Sequence, residues 1–316
     1  MMRRLLVLLV LLATACGGGS NDGPTHVTLV LDWIPNPDHV GVYAAMDRGF
    51  FSHRGITVTA RPPSDVSSPI QLVAAERADV GISYESELFF AQERHIPVAA
   101  VATVVPTALA SIIAAGGEGI STPADLRGKT IGVDGTQSTD AFVKTVLRRS
   151  GVDPADVDMK DVAFNQVPAL LGHKVDAVAG VYQNIEGVQF AMHGLHPVVF
   201  PYDHYGVPPY DELVVVANRD RLGSDSDYRA AVRRFVAGLA AGTEWAKRHP
   251  QEAIAVMRRH SAADYRNILE RSVPVTLRLL GIEAPSTAAW ERFGTWMFSS
   301  GLLDEKPDAA ALIARP

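Results

Sequence analysis

The stretch VTLVLDWIPNPDHVGVYAAMDRGFF, residues 27–51, decides the fold. Val27 to Leu31 form an apolar, β-branched run that predicts a strand, and Val42 to Arg48 predict a helix ending at Gly49. Between them Asp32, Trp33, Asn36, Asp38 and His39 crowd a turn that Pro35 and Pro37 stiffen. Polar and aromatic groups at the point where a strand gives way to a helix mark the carboxyl edge of an open α/β sheet, where such sheets take their ligands. The turn is read as a binding loop.

Outward from this loop, short β-branched runs alternate with helical patterns. Ile56 to Ala60, Val80 to Tyr84 and Val98 to Val105 read as further strands, with helices over Ser68 to Glu76 and Glu87 to Arg94 between them. That order predicts an α/β fold with mostly parallel sheets flanked by helices. A second unit begins near Thr122, with a strand at Lys129 to Val133, a Gly-Thr-Gln-Ser-Thr turn and a helix from Asp140 to Arg149. Val157 to Val162 and Ala177 to Tyr182 supply strands around a helix at Val167 to Leu171. Leu213 to Asn218 reads as a strand, Tyr228 to His249 as a helix, and most of the remainder as helical. The expected division is a first lobe of residues 25–115 plus 211–316 and a second lobe of 116–210. Two hinge crossings then leave a cleft between the lobes.

A chain of 316 residues that is 47% hydrophobic can fill two cores, so disorder is not the default. The net charge of -6, without an arginine-lysine stripe, argues against nucleic acid as a partner. The N-terminus carries Arg3 and Arg4, an apolar run from Leu5 to Leu12, and small residues up to Cys16, the sole cysteine. That is the layout of a secretory signal, too short to span a bilayer permanently. Cys16 followed by Gly17-Gly18-Gly19-Ser20 resembles a bacterial lipoprotein box, although Leu12 stands four positions before the cysteine where the box usually has leucine three before. This resemblance implies a signal peptide over 1–15, lipidation of Cys16, a flexible tether over 16–24, and export with the chain anchored by lipid to the outer face of the membrane. An ordinary cleaved signal with an incidental cysteine is the plainer alternative.

In the opening loop Trp33 can stack on a flat ring, Asp32 can accept hydrogen bonds from an amino group, and Asn36 or His39 can add polar contacts. The bland roles are core packing for Trp33 and helix capping for Asp32. Tyr84 and Glu85 stand at another strand-to-helix junction, where a helix dipole favours a carboxylate with or without a ligand. Ser138 and Thr139 occupy the equivalent turn of the second unit, whose backbone N–H groups can receive a carbonyl, carboxylate or phosphate, though capping explains them as well. The segment VDAVAGVYQNIEGVQF, residues 175–190, brings Tyr182, Asn184 and Glu186 to a sheet edge, and Glu186 can form the paired bonds an aminopyrimidine offers. A solvated glutamate in the first turn of a helix is the alternative. Tyr202, Tyr205 and Tyr210 lie at the second crossing, where they can close over a ring or pack the hinge. No nucleophile elbow, zinc helix or cysteine cluster is present, and His193, His196 and His204 lack metal-site spacing. No catalytic set, cofactor or metal is expected.

Taken together, LDWIPNPDHVGVYAAMDRGFF, LVAAERADVGISYESE, DLRGKTIGV, VPALLGHKVDAV and YGVPPYDELVVVAN resemble successive blocks of the solute-binding proteins of ABC importers, in the branch related to thiamine-pyrimidine binding. The resemblance covers most of residues 27–218. It implies a two-lobed periplasmic binding protein-like fold of type II that closes on its ligand by hinge motion. It further implies a small planar heterocycle as ligand, first a pyrimidine precursor of thiamine, with riboflavin or a sulfonate or nitrate as alternatives. ABC permease and ATPase subunits are the implied partners of a monomer. The same fold hosts pyrimidine synthases that consume their own histidine and use a cysteine-rich motif; this chain has no such motif, since its one cysteine lies in the leader. Pro37-Asp38 departs from the small polar residues usual in relatives, which leaves the ligand's identity open.

Overall fold

Two five-stranded sheets organise the computed structural model, which describes residues 24–65, 67–117, 119–163 and 165–316. The apolar leader and Cys16 lie outside the described residues. The strands are β1 (Thr25–Val30), β2 (Ile56–Arg61), β3 (Val80–Ser83), β4 (Val98–Val105), β5 (Ala110–Ala115), β6 (Thr130–Val133), β7 (Asp158–Asp161), β8 (Ala177–Tyr182), β9 (Pro197–Pro201) and β10 (Leu213–Asn218). The first sheet has the order β2-β1-β3-β10-β4, in which β1 runs parallel to β2 and β3 while β10 runs antiparallel to its neighbours. The second has the order β7-β6-β8-β5-β9, in which β6 runs parallel to β7 and β8 while β5 is antiparallel to β8 and β9.

Helices cover both sheets: α1 (Val40–Asp47), α2 (Ser68–Ala74), α3 (Glu85–Glu93), α4 (Gln137–Arg149), α5 (Gln166–Leu171), α6 (Glu186–Met192), α7 (Arg219–Ser224), α8 (Ser226–Arg248), α9 (Pro250–His260), α10 (Leu269–Leu279) and α11 (Thr287–Ser299). The pattern in α4 shows why they form. Thr136 caps it by accepting the Thr139 N–H, and Thr139, Phe142, Val143, Val146 and Leu147 bury one face at helical spacing. On the other side of the molecule α8 crosses α1 so closely that a methyl group added at Gly242 would lie 2.4 Å from the Gly41 carbonyl oxygen. The chain end returns to the first sheet, where the Ala314 N–H donates to the Ala100 carbonyl.

Two strands differ from the sequence expectation. Residues 110–115 belong to the second sheet as β5, so the first crossing runs through 106–109 instead of ending at 115. The sequence conceals this because only Pro106, Thr107, Ala108 and Leu109 separate β4, VAAVATVV, from β5, ASIIAA, and every residue of both strands is buried. The other is β9, a strand bracketed by Pro197 and Pro201, which is tolerated because it lies at a sheet edge. The return crossing runs from Tyr202 to Glu212, and from Leu213 the chain is again in the first sheet.

Candidate functional site

A cleft of about 520 Å³ opens between the two sheets, lined from the first lobe by Asp32, Trp33, Asn36 and Tyr84 and from the second by residues of β8 and the helix starts of α4, α5 and α6. Asp32 is 2% exposed and held from two sides. His39 Nδ1 accepts the Asn36 N–H, which puts the ring proton on Nε2, and Nε2 donates to Asp32 Oδ1 at 2.8 Å. Tyr84 donates its hydroxyl to Asp32 Oδ2 at 3.1 Å. The carboxylate is thereby fixed in orientation, with lone pairs left for a donor in the cleft. Trp33 is half-buried and donates its indole N–H to the Tyr265 hydroxyl at 3.2 Å, which holds an aromatic face at the mouth.

From the second lobe, Glu186 opens α6 with Oε2 accepting the Tyr182 N–H at 2.8 Å. Burial pushes its carboxyl up to about 7, so near neutrality it both donates and accepts. Ser138 and Thr139 line the same wall on the α4 turn. Thr136 and Thr139 give their hydroxyl protons to Asp134, at 2.8 Å and 3.0 Å. At the hinge Glu212 accepts the N–H groups of Leu109 on the first crossing and of Ala110 at the start of β5, the Tyr210 hydroxyl on the second crossing, and the Tyr182 hydroxyl from β8. One carboxyl therefore ties both crossings to the cleft wall. Its pKa is raised by burial, against the bonds that lower it.

Eight of the twelve residues that the sequence singled out for the ligand line the cleft: Asp32, Trp33, Asn36, Tyr84, Ser138, Thr139, Tyr182 and Glu186. Four do not. His39 sits fully buried behind Asp32 and acts through it. Glu85 turns into the first lobe, where Oε2 accepts the Asp211 N–H at 2.6 Å. Asn184 is fully buried and bonds to Asp38 and Thr276 of the first lobe. Tyr205 packs edge-on against Phe200 at 5.8 Å, away from the cleft, and its neighbours Tyr202 and Tyr210 take the lining positions. Sequence reasoning passed over Tyr265, Glu212, Asp134 and Phe142. Tyr265 had no signal, since it lies among C-terminal helices; Glu212 had one, a carboxylate opening the apolar run of β10.

Comparison with known proteins follows the same lines. The description of the NMT1/THI5-like family matches residues 36–253. A Haemophilus influenzae protein named for thiamine biosynthesis is 32% identical over 227 residues, 72% of this chain and 71% of that one. The formylaminopyrimidine-binding protein of Halalkalibacterium halodurans is 32% identical over 256 residues, 80% of this chain and 76% of that one. The chain is also similar to 4-amino-5-hydroxymethyl-2-methylpyrimidine phosphate synthases, at 24% identity over 49% of its length for a Saccharomyces cerevisiae enzyme and 46% of that enzyme. Among solved structures the periplasmic aliphatic sulphonate binding protein of Escherichia coli superposes with a TM-score of 0.74 at 16% identity, covering 93% of each chain. The chain belongs to the NMT1/THI5-like family and has the periplasmic binding protein fold.

Proposed function

We propose that this protein captures an aminopyrimidine precursor of thiamine for an ABC importer and hands it on unchanged. The observation that carries the reading is the pairing across the cleft of Asp32, with its two supporting donors, and Glu186, whose carboxyl lies near its midpoint at neutrality. An aminopyrimidine presents an amino donor beside a ring nitrogen acceptor. A carboxyl that both donates and accepts meets that edge with two bonds, a fixed carboxylate on the other lobe takes a further amino hydrogen, and Trp33 and Tyr265 offer aromatic faces. The cleft volume falls within the roughly 300 to 1,000 Å³ usual for small-molecule sites. The relative named for formylaminopyrimidine binding points the same way.

A sulfonate or nitrate suits the cleft poorly, because no lysine, arginine or histidine is among the described residues that line it. Binding without turnover is favoured over the synthase reading because no histidine is among the described residues that line the cleft, and His39, behind Asp32, does not reach it. That ring is buried and bonded at both nitrogens, so it is unavailable as a reagent without dismantling the site.

The experiment is calorimetry with purified formylaminopyrimidine, followed by mass spectrometry of the recovered ligand. One ligand per chain, returned intact, is the expected result; a converted product, or a covalent mark on a histidine, would sink the binding reading. The anchor is tested separately: Cys16→Ser moves an exported lipoprotein from the membrane fraction to the soluble one, and retention on the membrane rejects lipidation at Cys16. ABC permease and ATPase subunits are the partners this role requires, with the protein acting as a monomer.

A further inference from the structure

The family includes relatives named for a pyrimidine phosphate, which raises the question of whether this cleft accepts a phosphorylated ligand. A phosphate on a bound pyrimidine needs a cationic side chain or a free helix N-terminus. Among the described residues that line the cleft there is no cationic side chain, and six carboxyl groups are present: Asp32, Glu87, Asp134, Glu186, Glu212 and Asp264. Of the other helix starts, the first turn of α3 carries Glu85 and Glu87 and that of α6 carries Glu186, while α5, only six residues long, carries no acidic residue there.

The start of α4 is the place in the second lobe best formed to receive an anion, with thirteen residues behind it and Thr136, Ser138 and Thr139 at the cleft wall. Asp134 already occupies it. Its Oδ1 accepts the Thr136 N–H at 2.9 Å and the Thr136 hydroxyl at 2.8 Å, and its Oδ2 accepts the Thr139 hydroxyl at 3.0 Å. The neighbouring strand is shaped to this carboxylate. Gly180 of β8 has a φ of +75°, and a methyl group added there would lie 2.6 Å from Asp134 Oδ2. The N–H and hydroxyl groups of Thr136 and Thr139 are thus taken up by the chain itself.

We propose that Asp134 is a specificity-determining residue: it stands as an internal anion at the start of α4, so that the cleft accepts the unphosphorylated pyrimidine and rejects its phosphate ester. This rests on the pyrimidine reading above for the ligand's identity, whereas the exclusion of anions rests on the residues alone. A dianion brought beside Asp134 meets like charge with no counterion in the lining, and such juxtapositions cost enough to lower affinity by about a hundredfold or more.

The test titrates the parent protein, Asp134→Asn and Asp134→Ser with 4-amino-5-hydroxymethyl-2-methylpyrimidine and with its phosphate. The readout is the ratio of the two affinities. The parent is expected to favour the alcohol by about a hundredfold, and both variants to narrow that ratio by about tenfold or more. Equal binding of the two compounds by the parent, or a ratio that neither variant moves, overturns the proposal while leaving pyrimidine binding intact. If neither compound binds, the pyrimidine reading itself fails only if formylaminopyrimidine does not bind either, and inorganic phosphate decides the role of Asp134. Phosphate binding gained in a folded Asp134→Asn or Asp134→Ser protein supports it, and none gained in either overturns it.

Discussion

Asn184 Nδ2 donates to Asp38 Oδ1 at 2.6 Å, joining the loop after β8 in the second lobe to the turn that opens α1 in the first. The same nitrogen donates to Thr276 on α10 at 2.8 Å, and the Asn184 carbonyl accepts the Ser272 hydroxyl. The lobes are thus held by specific bonds as well as by the two crossings. Replacing Asn184 with alanine leaves a buried Asp38 without its donor. The expected loss of stability is about 1 to 3 kcal/mol, read from urea denaturation. Asn184→Asp should lose more, since it sets a second carboxylate against the first; a Asn184→Asp protein as stable as the parent rejects the bond's importance.

Asp38 also sets a pH dependence. Burial, followed by the charge of neighbouring Asp32, raises its carboxyl well above 3.8. The folded protein therefore keeps a proton that the unfolded chain releases, and its contribution to stability is full below about pH 4 and declines as pH rises towards the folded value. Asp38→Asn retains an acceptor for Asn184 and cannot ionise. Denaturation midpoints from about pH 4 to pH 7 should fall less steeply for this variant than for the parent; parallel profiles would show that Asp38 ionises freely.

On the pyrimidine reading, Glu186 makes ligand affinity depend on pH. Pairing with an aminopyrimidine needs one proton between the carboxyl and the ring nitrogen, so binding should weaken as pH rises through about 7. Glu186→Gln supplies an N–H and a carbonyl at any pH and should flatten this profile. Glu186→Ala leaves the ligand's edge unpaired and should cost about ten- to a hundredfold in Kd. Calorimetry at three pH values separates the outcomes, and a parent profile that Glu186→Gln leaves unchanged assigns the dependence to another group.

The pyrimidine reading assigns the stacking to Trp33. Trp33→Ala should weaken pyrimidine binding by about tenfold or more through lost ring contact and burial. Tyr265→Phe removes only the acceptor of the indole N–H, so its effect should be smaller than that of Trp33→Ala. If the order is reversed, Tyr265 touches the ligand directly and Trp33 is packing.

Gly242 reports on the scaffold. An added methyl group would meet the Gly41 carbonyl oxygen and, at 2.7 Å, both the backbone nitrogen and the Cβ of Ala45, so α8 must shift away from α1. Gly242→Ala should destabilise the protein by about 1 to 3 kcal/mol in thermal or chemical melts. A neutral result would mean that the two helices separate freely.

The sequence by itself determined the two α/β units, the return of the chain to the first, and the strand-to-helix turns that carry Asp32, Trp33, Tyr84, Ser138, Thr139, Tyr182 and Glu186. These are legible because hydrophobic period and turn chemistry are local, and because the carboxyl edge of a sheet follows from chain direction. Tertiary structure alone decided the rest. Tyr202 and Tyr210 face the cleft and Tyr205 does not, although all three sit on one crossing. Tyr265 meets Trp33 across 232 positions of chain, and Asn184 meets Asp38 across 146. Glu212 acquires its hinge role from amides about a hundred residues earlier. Such contacts leave no periodic trace, since they depend on how two separately formed lobes are set against each other and on which rotamer a crossing residue adopts once both cores are packed.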